Sequence, residues 1–244
     1  GKTDAADAEA ICEAVQRPTM RFVPVKTPDQ QSILMVHRTR SLIVRQRTMV
    51  ANALRAHLAE FGFVANPGVR NIVKLARSVF DEGDGKPALP EMAQVALATL
   101  VRRLLELEDV LQALERVLRD WHAQSEACQR LAAIPGIGVI TATAIVATVS
   151  DPGQFKSGRQ FAAWLGLVPK QNSSGDKVRL GGISKQGDRY LRRLLVVGAT
   201  AVIRHVRNKE TPMAAWLNNL LEKKPVRLVS VALANKTARI AWAL

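Results

Sequence analysis

The leucines between residues 97 and 121 constrain the fold of this 244-residue chain more than any other feature. They recur in alternating steps of three and four, which is the seam of a heptad repeat sustained over more than three heptads. Such a helix buries its seam against a partner helix. A second copy of the same helix is the most economical partner, and packing within its own domain is the alternative. The seam consists of Leu97, Leu100, Leu104, Leu107, Leu111, Leu114, Leu118 and Trp121.

A second long helix is predicted to begin at the sequence TPDQ, residues 27–30. The threonine is an N-cap residue, the proline suits the first helical position, and the glutamine completes a capping box. Apolar residues from Ile33 to Leu58 form one stripe, and the helix is expected to end at Phe61, before Gly62. The other face carries arginines, of which two pairs lie two turns apart: Arg38 with Arg45, and Arg40 with Arg47.

The remaining pattern predicts a mainly α fold. Helices are expected over 4–16 and 69–80, a brief strand over the alternating sequence MRFVPV at 20–25, and a loop over DEGDGKPALP at 81–90. After residue 128 the heptad rhythm gives way to glycines, small residues and short helices. We therefore place a domain boundary near 128–131.

The charge of the chain indicates a polyanionic partner. Lys and Arg outnumber Asp and Glu by 35 to 21, for a formal net charge of +14. No basic amphipathic stretch is paired with an exposed apolar face, so nucleic acid is favoured over a membrane surface. The longest uncharged apolar stretch, 194–203, is too short to span a bilayer.

Residues 131–147, LAAIPGIGVITATAIVA, have the form of a helix-hairpin-helix. Gly136 and Gly138 permit a tight turn and a close approach, and the amides at the start of the second helix are able to bind a phosphate. This arrangement suits a sequence-independent grip on a nucleic-acid backbone. A plain turn between two packed helices would have the same sequence.

The sequence QNSSGDKVRL, residues 171–180, places two serines in a glycine loop beside cationic residues. Phosphoryl transfer needs a nucleophile and cations on the phosphate, and Ser173 or Ser174 would supply the first. A solvated polar loop is the alternative, and Tyr190 is a competing nucleophile. The cationic residues expected to bind phosphate are Lys177, Arg179, Lys185, Arg189, Arg192 and Arg193.

Two carboxylates near the start of the chain are a candidate Mg²⁺ site. Asp4 and Asp7 lie three residues apart, so on a helix both project from one face. Acidic residues at a helix start also favour the helix dipole without any metal. The two cysteines, Cys12 and Cys128, have no metal-binding spacing and are expected to be free thiols in a reducing cytoplasm.

Several blocks together resemble the insertion-sequence one-ten/one-eleven-eleven family of bacterial transposases. The resemblance implies a DEDD-type enzyme in which an RNase H-like (RuvC-like) domain precedes a coiled coil and a C-terminal transposase domain. It also implies an RNA-guided recombinase that uses a structured bridge RNA. The blocks are KTDAADAEAICEAVQRP, FVPVKTPDQQ, HRTRSLIVRQRTMVANALRAHLAEFG, the segment from IPGIG at 134 to VVGA at 199, and ALANKTARIAWAL.

The resemblance assigns roles to particular residues. It makes Asp4 and Asp7 the last two members of an acidic tetrad that holds Mg²⁺, and Ser174 the nucleophile that forms a covalent phosphoserine link with DNA. The first aspartate and the glutamate would precede Gly1, so the chain is expected to be a fragment that is inactive alone. The arginine helix becomes an RNA-binding face. The implied domains are a RuvC-like remnant with the basic helix over 1–62, a coiled-coil dimerisation region over 63–128 and the transposase domain over 129–244.

The family's site is composite, which implies a dimer or tetramer assembled through the leucine heptads. The expected location is the bacterial cytoplasm, at the nucleoid. Two other functions stay open: a metal-dependent junction-resolving nuclease that forms no covalent intermediate, and a nucleic-acid-binding and dimerisation module without activity.

Overall fold

The computed structural model describes residues 3–20, 22–80, 89–174, 177, 179–206 and 210–244. Helices dominate these residues, and their two strands form one antiparallel pair, so the predicted mainly α fold is confirmed. The helices are α1 (Asp4–Gln16), α2 (Pro28–Glu60), α3 (Val69–Phe80), α4 (Glu91–Gln124), α5 (Glu126–Ala132), α6 (Val139–Thr148), α7 (Gly158–Trp164), α8 (Arg189–Arg204), α9 (Pro212–Lys223) and α10 (Val226–Ala243). The strands are β1 (Pro169–Gln171) and β2 (Leu180–Ile183).

Helix α1 and the segment after it lie on the surface. Thr3 caps α1 by accepting a hydrogen bond from the Ala6 amide, and no residue of the helix is buried. The strand predicted over 20–25 is wrong for the residues described there, which have no strand partner and lie exposed. A strand needs a neighbour for its backbone groups, and Pro24 has no amide hydrogen to donate.

The capping box predicted at the start of α2 is confirmed. The Thr27 hydroxyl accepts from the Gln30 amide at 3.2 Å, and the Gln30 side chain accepts from the Thr27 amide at 3.0 Å. The same Gln30 side chain donates to the Val146 carbonyl on α6, which ties the start of α2 to the C-terminal half of the chain. The helix then continues without interruption to Glu60.

Helices α2 and α4 form a long antiparallel helical hairpin. Arg40 bonds Glu115 at 2.6 Å and Arg47 bonds Glu108 at 3.1 Å. Seven residues forward on α2, from 40 to 47, therefore correspond to seven residues back on α4, from 115 to 108. Helix α3 covers the hairpin beside its turn, where Ile72 and Ala76 join a core shared with Leu54, Leu58 and Leu104.

The leucine seam of α4 is buried inside this chain, with α2 as its main partner helix. Its fully enclosed members are Leu97, Leu104, Leu107, Leu111 and Leu118, each at most 4% exposed. Within this chain α2 therefore covers much of the seam, as the alternative of packing within the chain expects, and dimerisation through the heptads stays a prediction. Leu100, Leu114 and Trp121 are half-buried, so part of the seam stays accessible to a second copy.

The C-terminal half has its own apolar core, in which α10 packs across α7 and α8. Helix α6 lies at its centre and contacts α2, α4, α5 and α8. Helix α8 begins at Arg189, after the N-cap residue Asp188, whose side chain accepts a hydrogen bond from the Leu191 amide. Among the helices described, none combines the length and the hydropathy that a bilayer crossing requires.

Candidate active site

The two candidate serines lie at the exposed tip of the β1–β2 hairpin, which we call the serine hairpin. Its strands pair Gln171 with Leu180, and an isolated bridge joins Ser174 to Lys177. The Ser173 hydroxyl accepts a hydrogen bond from the Arg179 amide at 3.2 Å. Ser174 is exposed, and its hydroxyl takes part in none of the hydrogen bonds found among the described residues. Ser173 thus contributes a hydrogen bond across the hairpin, while the exposed Ser174 hydroxyl has no partner among the described residues.

The root of the serine hairpin is closely packed where it leaves α7 and enters α8. Gly166 and Gly187 both have positive φ, at 71° and 79°. A Cβ on Gly187 would overlap the Trp164 carbonyl oxygen, and a Cβ on Gly166 would overlap that of Gln186. The loop before α8 lies directly on the end of α7, and this close approach leaves no room for a side chain at either glycine. The exposed tip thus stands on a rigid base.

The predicted phosphate-binding residues of this region do not share one environment. Lys177, Arg179, Lys185 and Arg189 are exposed around the serine hairpin. Arg192 instead donates from one Nη1 atom to the carbonyl oxygens of Leu165 (2.8 Å) and Gln186 (2.9 Å). Its guanidinium therefore serves the hairpin root, and only its remaining donors are available for a phosphate.

A buried hydrogen-bonded chain joins α2, α6 and α8. Thr143 donates to the Val139 carbonyl at 2.8 Å, so its oxygen is free to accept from Nε2–H of His37 at 3.1 Å. His37 Nδ1 then accepts from the Tyr190 hydroxyl at 3.0 Å. Burial lowers the pKa of His37 to about 4, with the nearby Arg40 as a second cause, and burial also raises the pKa of Tyr190.

This chain of bonds weighs against Tyr190 as a nucleophile. Its hydroxyl points inward to His37, which is 1% exposed, and the raised pKa keeps the phenol protonated. The ring is instead a support, since the Arg193 guanidinium lies 5.3 Å from its centroid. Arg193 also donates to the Ser41 hydroxyl on α2 at 3.2 Å. Side chains rather than backbone packing thus hold the start of α8 to α2.

The arginines of α2 divide into two sets. Arg40 and Arg47 face α4 and are paired with glutamates. They are therefore less available to RNA than the sequence pattern predicts. Arg38 and Arg45 lie on the opposite, exposed face, and no ion pair joins either of them within the part of the chain that the structure describes. They flank Ser41 at one turn on each side, so they lie on the side of α2 that receives Arg193.

The predicted Pro-Gly-Ile-Gly turn joins α5 to α6, and its two glycines differ. Gly136 has φ of 91° and packs against the backbone of Gly198 on α8, where a Cβ would approach the Gly198 carbonyl to 3.2 Å. Gly138 is exposed at the N-cap of α6, with open space around it and no side-chain cap. Gly136 therefore has a packing role, and Gly138 is the residue placed for phosphate contact. Phosphate binding by this turn stays a prediction.

Asp4 and Asp7 lie exposed in the first turn of α1. Among the described residues, no side-chain hydrogen bond or ion pair joins them to the serine hairpin, and no group of three or more His, Cys, Asp or Glu side chains is suited to a metal. Two carboxylates on one helix face supply only part of the oxygen set that Mg²⁺ takes. Of the cysteines, Cys12 is exposed on α1 and Cys128 is buried.

Two features of this region were missed in the sequence. His37 lies on the α4-facing side of α2, between Ile33 and Arg40, and that position signalled burial. The packing of the hairpin root had no such signal, because it depends on glycines that meet carbonyl oxygens far along the chain.

Comparison with known proteins finds two transposase family models that match parts of this chain. A DEDD transposase family model matches residues 1–63, and the model described as the transposase IS116/IS110/IS902 family matches residues 128–213. The first covers α1 and α2, and the second covers the helices around the serine hairpin.

Relatives extend the match along the whole chain. The protein y4pF/y4sB of Sinorhizobium fredii, named as a transposase, is 49% identical over 100% of this chain and 62% of its own length. A family 20 transposase of Pseudomonas aeruginosa is 48% identical over 100% of this chain and 72% of its own. The transposase of insertion sequence IS1111A from Coxiella burnetii is 41% identical over 100% of this chain and 66% of its own length. The chain therefore belongs to the IS116/IS110/IS902 family of transposases, and it spans less than two thirds of the first of these relatives.

Proposed function

We propose that the protein is a DNA transposase in which Ser174 is the nucleophile. Its oxygen attacks a DNA phosphodiester, a serine–phosphate bond forms, and the bond from phosphorus to one sugar oxygen breaks. The serine proton leaves and the released sugar oxygen becomes a hydroxyl. When a sugar hydroxyl attacks the phosphoserine, the strands rejoin and the serine is restored. Exchange of one phosphodiester for another needs no external energy source.

The exposed Ser174 hydroxyl is the observation that carries this proposal. Ser173 is occupied by the Arg179 amide, which favours its neighbour as the reacting group. Lys177 and Arg179 lie exposed on the same hairpin and would stabilise the charge that develops on the phosphate. Rigid packing at the root would hold the tip in a defined position during both strand transfers.

Asp4 and Asp7 would contribute carboxylate ligands to a Mg²⁺ site, as the DEDD family match implies a divalent metal. Carboxylates there would hold an ion that would supply Lewis-acid stabilisation of the charge on the phosphate and the leaving oxygen. The two residues would share that task with acidic groups from outside the described residues.

The exposed face of α2 supports an RNA partner. Arg38 and Arg45 alternate there with Met35, Leu42 and Met49, and residues 30–59 of the helix contain no acidic side chain. Guanidinium groups bind phosphate, and both guanidinium and apolar groups pack on exposed bases. We propose that this face binds a structured guide RNA, while base pairing selects the DNA sequence.

Assembly and location complete the proposal. A composite site would require a dimer or tetramer, assembled through the accessible part of the leucine seam. An enzyme that rearranges chromosomal DNA would work in the bacterial cytoplasm, at the nucleoid.

The experiment tests for a covalent protein–DNA adduct, using the full-length protein with Mg²⁺ and element-end DNA. We expect the adduct with the unchanged protein and none with Ser174→Ala. Ser173→Ala is the matched control, since it loses one local hydrogen bond and should lower the yield only several-fold. A Ser174→Ala protein that still recombines would refute the assignment, and cleavage without any adduct would favour the junction-resolving nuclease.

A further inference from the structure

An open groove of about 930 Å³ lies where α7, α9 and α10 meet. Three cationic side chains line it, namely Arg159, Lys236 and Arg239. No acidic residue is among its lining residues. We call this feature the α7–α10 groove.

The shape of the groove depends on a close helix crossing. Gly158 starts α7 directly against α10, and a Cβ at this position would lie 2.9 Å from the Arg239 carbonyl oxygen. On the other side, the Lys236 ammonium lies 4.2 Å from the centre of the Trp216 ring. The glycine brings the two helices together, and the ring supports the lysine without neutralising it. The positive groups are therefore held close to one another.

Like charges held together repel, and no acidic side chain among the described lining residues offsets them. Concave surfaces lined by one sign of charge concentrate the opposite sign, and a chain of phosphates is the partner that meets several cations at once. Arg159 and Arg239 are exposed. Neither takes part in a side-chain hydrogen bond or ion pair within the described ranges, so both guanidinium groups are available to a ligand.

The groove is connected to the serine hairpin. Asn235 lines the groove, and its side-chain amide donates to the Leu167 carbonyl at 3.1 Å, two residues before β1 begins. Helix α7, which separates the first groove residues from the hairpin root, is only about 10 Å long at 1.5 Å per residue. The seven residues from Leu167 to Ser174 span at most about 25 Å, so Ser174 and the groove lie within about one turn of a DNA duplex of each other.

We propose that the α7–α10 groove holds the sugar-phosphate backbone of the DNA that flanks the phosphate attacked by Ser174. This rests on the proposed function, because the serine defines which DNA segment lies beside the groove. Arg159 and Arg239 grip phosphates, and Lys236 contributes charge from the groove floor. Backbone contact of this kind fixes the position of the DNA without reading its sequence.

The test measures DNA binding by full-length Ser174→Ala protein, which prevents strand transfer, with and without the added pair Arg159→Gln and Arg239→Gln. The probe is a mixed-sequence duplex of about 40 base pairs, long enough to cover the bound surface. Each lost phosphate contact lowers the slope of log affinity against log salt by about 0.9. We expect the pair to lower the slope by about 2 and the affinity about tenfold or more at physiological salt.

Arg102→Gln with Arg116→Gln is the matched control, because both arginines are exposed on α4 and neither lines the groove. It should leave the slope unchanged, and thermal unfolding should be the same for all variants. An unchanged slope in the groove variant would overturn the proposal. So would a loss of affinity for an RNA duplex of the same sequence with DNA binding intact. Neither outcome depends on whether Ser174 forms the adduct, so the two proposals fail separately.

Discussion

The helical hairpin of α2 and α4 and the serine hairpin of β1 and β2 are held together in opposite ways. In the helical hairpin a row of buried leucines forms the core, and the Arg40–Glu115 and Arg47–Glu108 pairs border it. The serine hairpin buries almost nothing at its tip and depends on a few backbone contacts at its root. The helical hairpin is therefore stabilised by many side chains that each contribute part of the energy. The serine hairpin depends on a few close backbone contacts, where the glycines leave no space for a side chain.

The difference matches what each element does. A leucine core tolerates the loss of one member at a partial cost, which suits a scaffold. A nucleophile that must remain in place while strands are exchanged needs a base that does not relax. Four substitutions test this contrast, and the expected loss of stability decreases from Gly187 through Leu104 and His37 to Arg40.

Gly187→Ala should have the largest effect, because its Cβ would overlap the Trp164 carbonyl oxygen at a positive φ. We expect a loss of about 4 kcal/mol in the free energy of unfolding, measured by urea titration, together with loss of strand joining. Gly182→Ala is the control, since it lies on β2 with nothing within 4 Å of the added carbon. Equal stability of the two variants would contradict the rigid root.

Leu104→Ala should cost about 3 kcal/mol of unfolding free energy by the same titration, because a fully buried seam residue leaves a cavity. Val110→Ala on the outer face of the same helix is 43% exposed and should change stability by no more than about 0.5 kcal/mol. If the leucines served a second copy instead, the loss in Leu104→Ala would depend on protein concentration.

Acidification should destabilise the junction between the two regions through His37. The pKa of His37 is about 4 in the folded protein, whereas a histidine exposed to water, as in the unfolded chain, has a pKa of 6.5. The unfolded chain therefore binds the proton more readily. This contribution to stability is present above pH 6.5 and is lost as the pH falls toward 4. Between pH 7 and pH 5 we expect it to decrease by about 2 kcal/mol.

The measurement compares unfolding free energies of the unchanged protein and His37→Gln across this pH range. The variant cannot titrate at position 37, so its stability should fall less on acidification. Parallel curves for the two proteins would show that His37 is not buried as a neutral group.

Arg40→Gln should have the smallest effect, about 1 kcal/mol, since the pair with Glu115 is only partly shielded from water. Arg38→Gln, on the exposed face, should leave stability unchanged. A double-mutant cycle of Arg40→Gln with Glu115→Gln isolates the coupling energy. Similar losses in the Arg38 and Arg40 variants would contradict the division of the α2 arginines into two sets.

The sequence predicted the helices better than their partners. The capping box at Thr27 and the seam from Leu97 to Leu118 are local patterns, so the bounds of α2 and the burial of the α4 leucines followed from them. A heptad repeat does not say which helix covers it, and here α2 of the same chain does so. The strand expected over 20–25 failed for a related reason, since alternation describes a strand only where a neighbour accepts its hydrogen bonds.

The candidate site was predictable as a set of residues and not as a geometry. Ser173, Ser174, Lys177 and Arg179 are adjacent in sequence, and they lie on one hairpin in the structure. The different tasks of Ser173 and Arg192 depend on individual hydrogen bonds to backbone atoms, which composition does not encode. The sequence likewise predicted one role for Arg38, Arg40, Arg45 and Arg47, because the charge of an arginine does not show whether a glutamate pairs with it in the fold.

The fixed register of α2 and α4 also limits how relatives can vary in length. A residue inserted inside either helix would turn all later positions by about 100° and separate Arg47 from Glu108 or Arg40 from Glu115. Whole heptads added to both helices at matching levels would preserve the pairing. In this half of the chain, natural insertions and deletions among relatives are therefore expected to fall between the helices, within 61–90. Inside the helices they are expected only as seven-residue changes made in both α2 and α4 at matching positions.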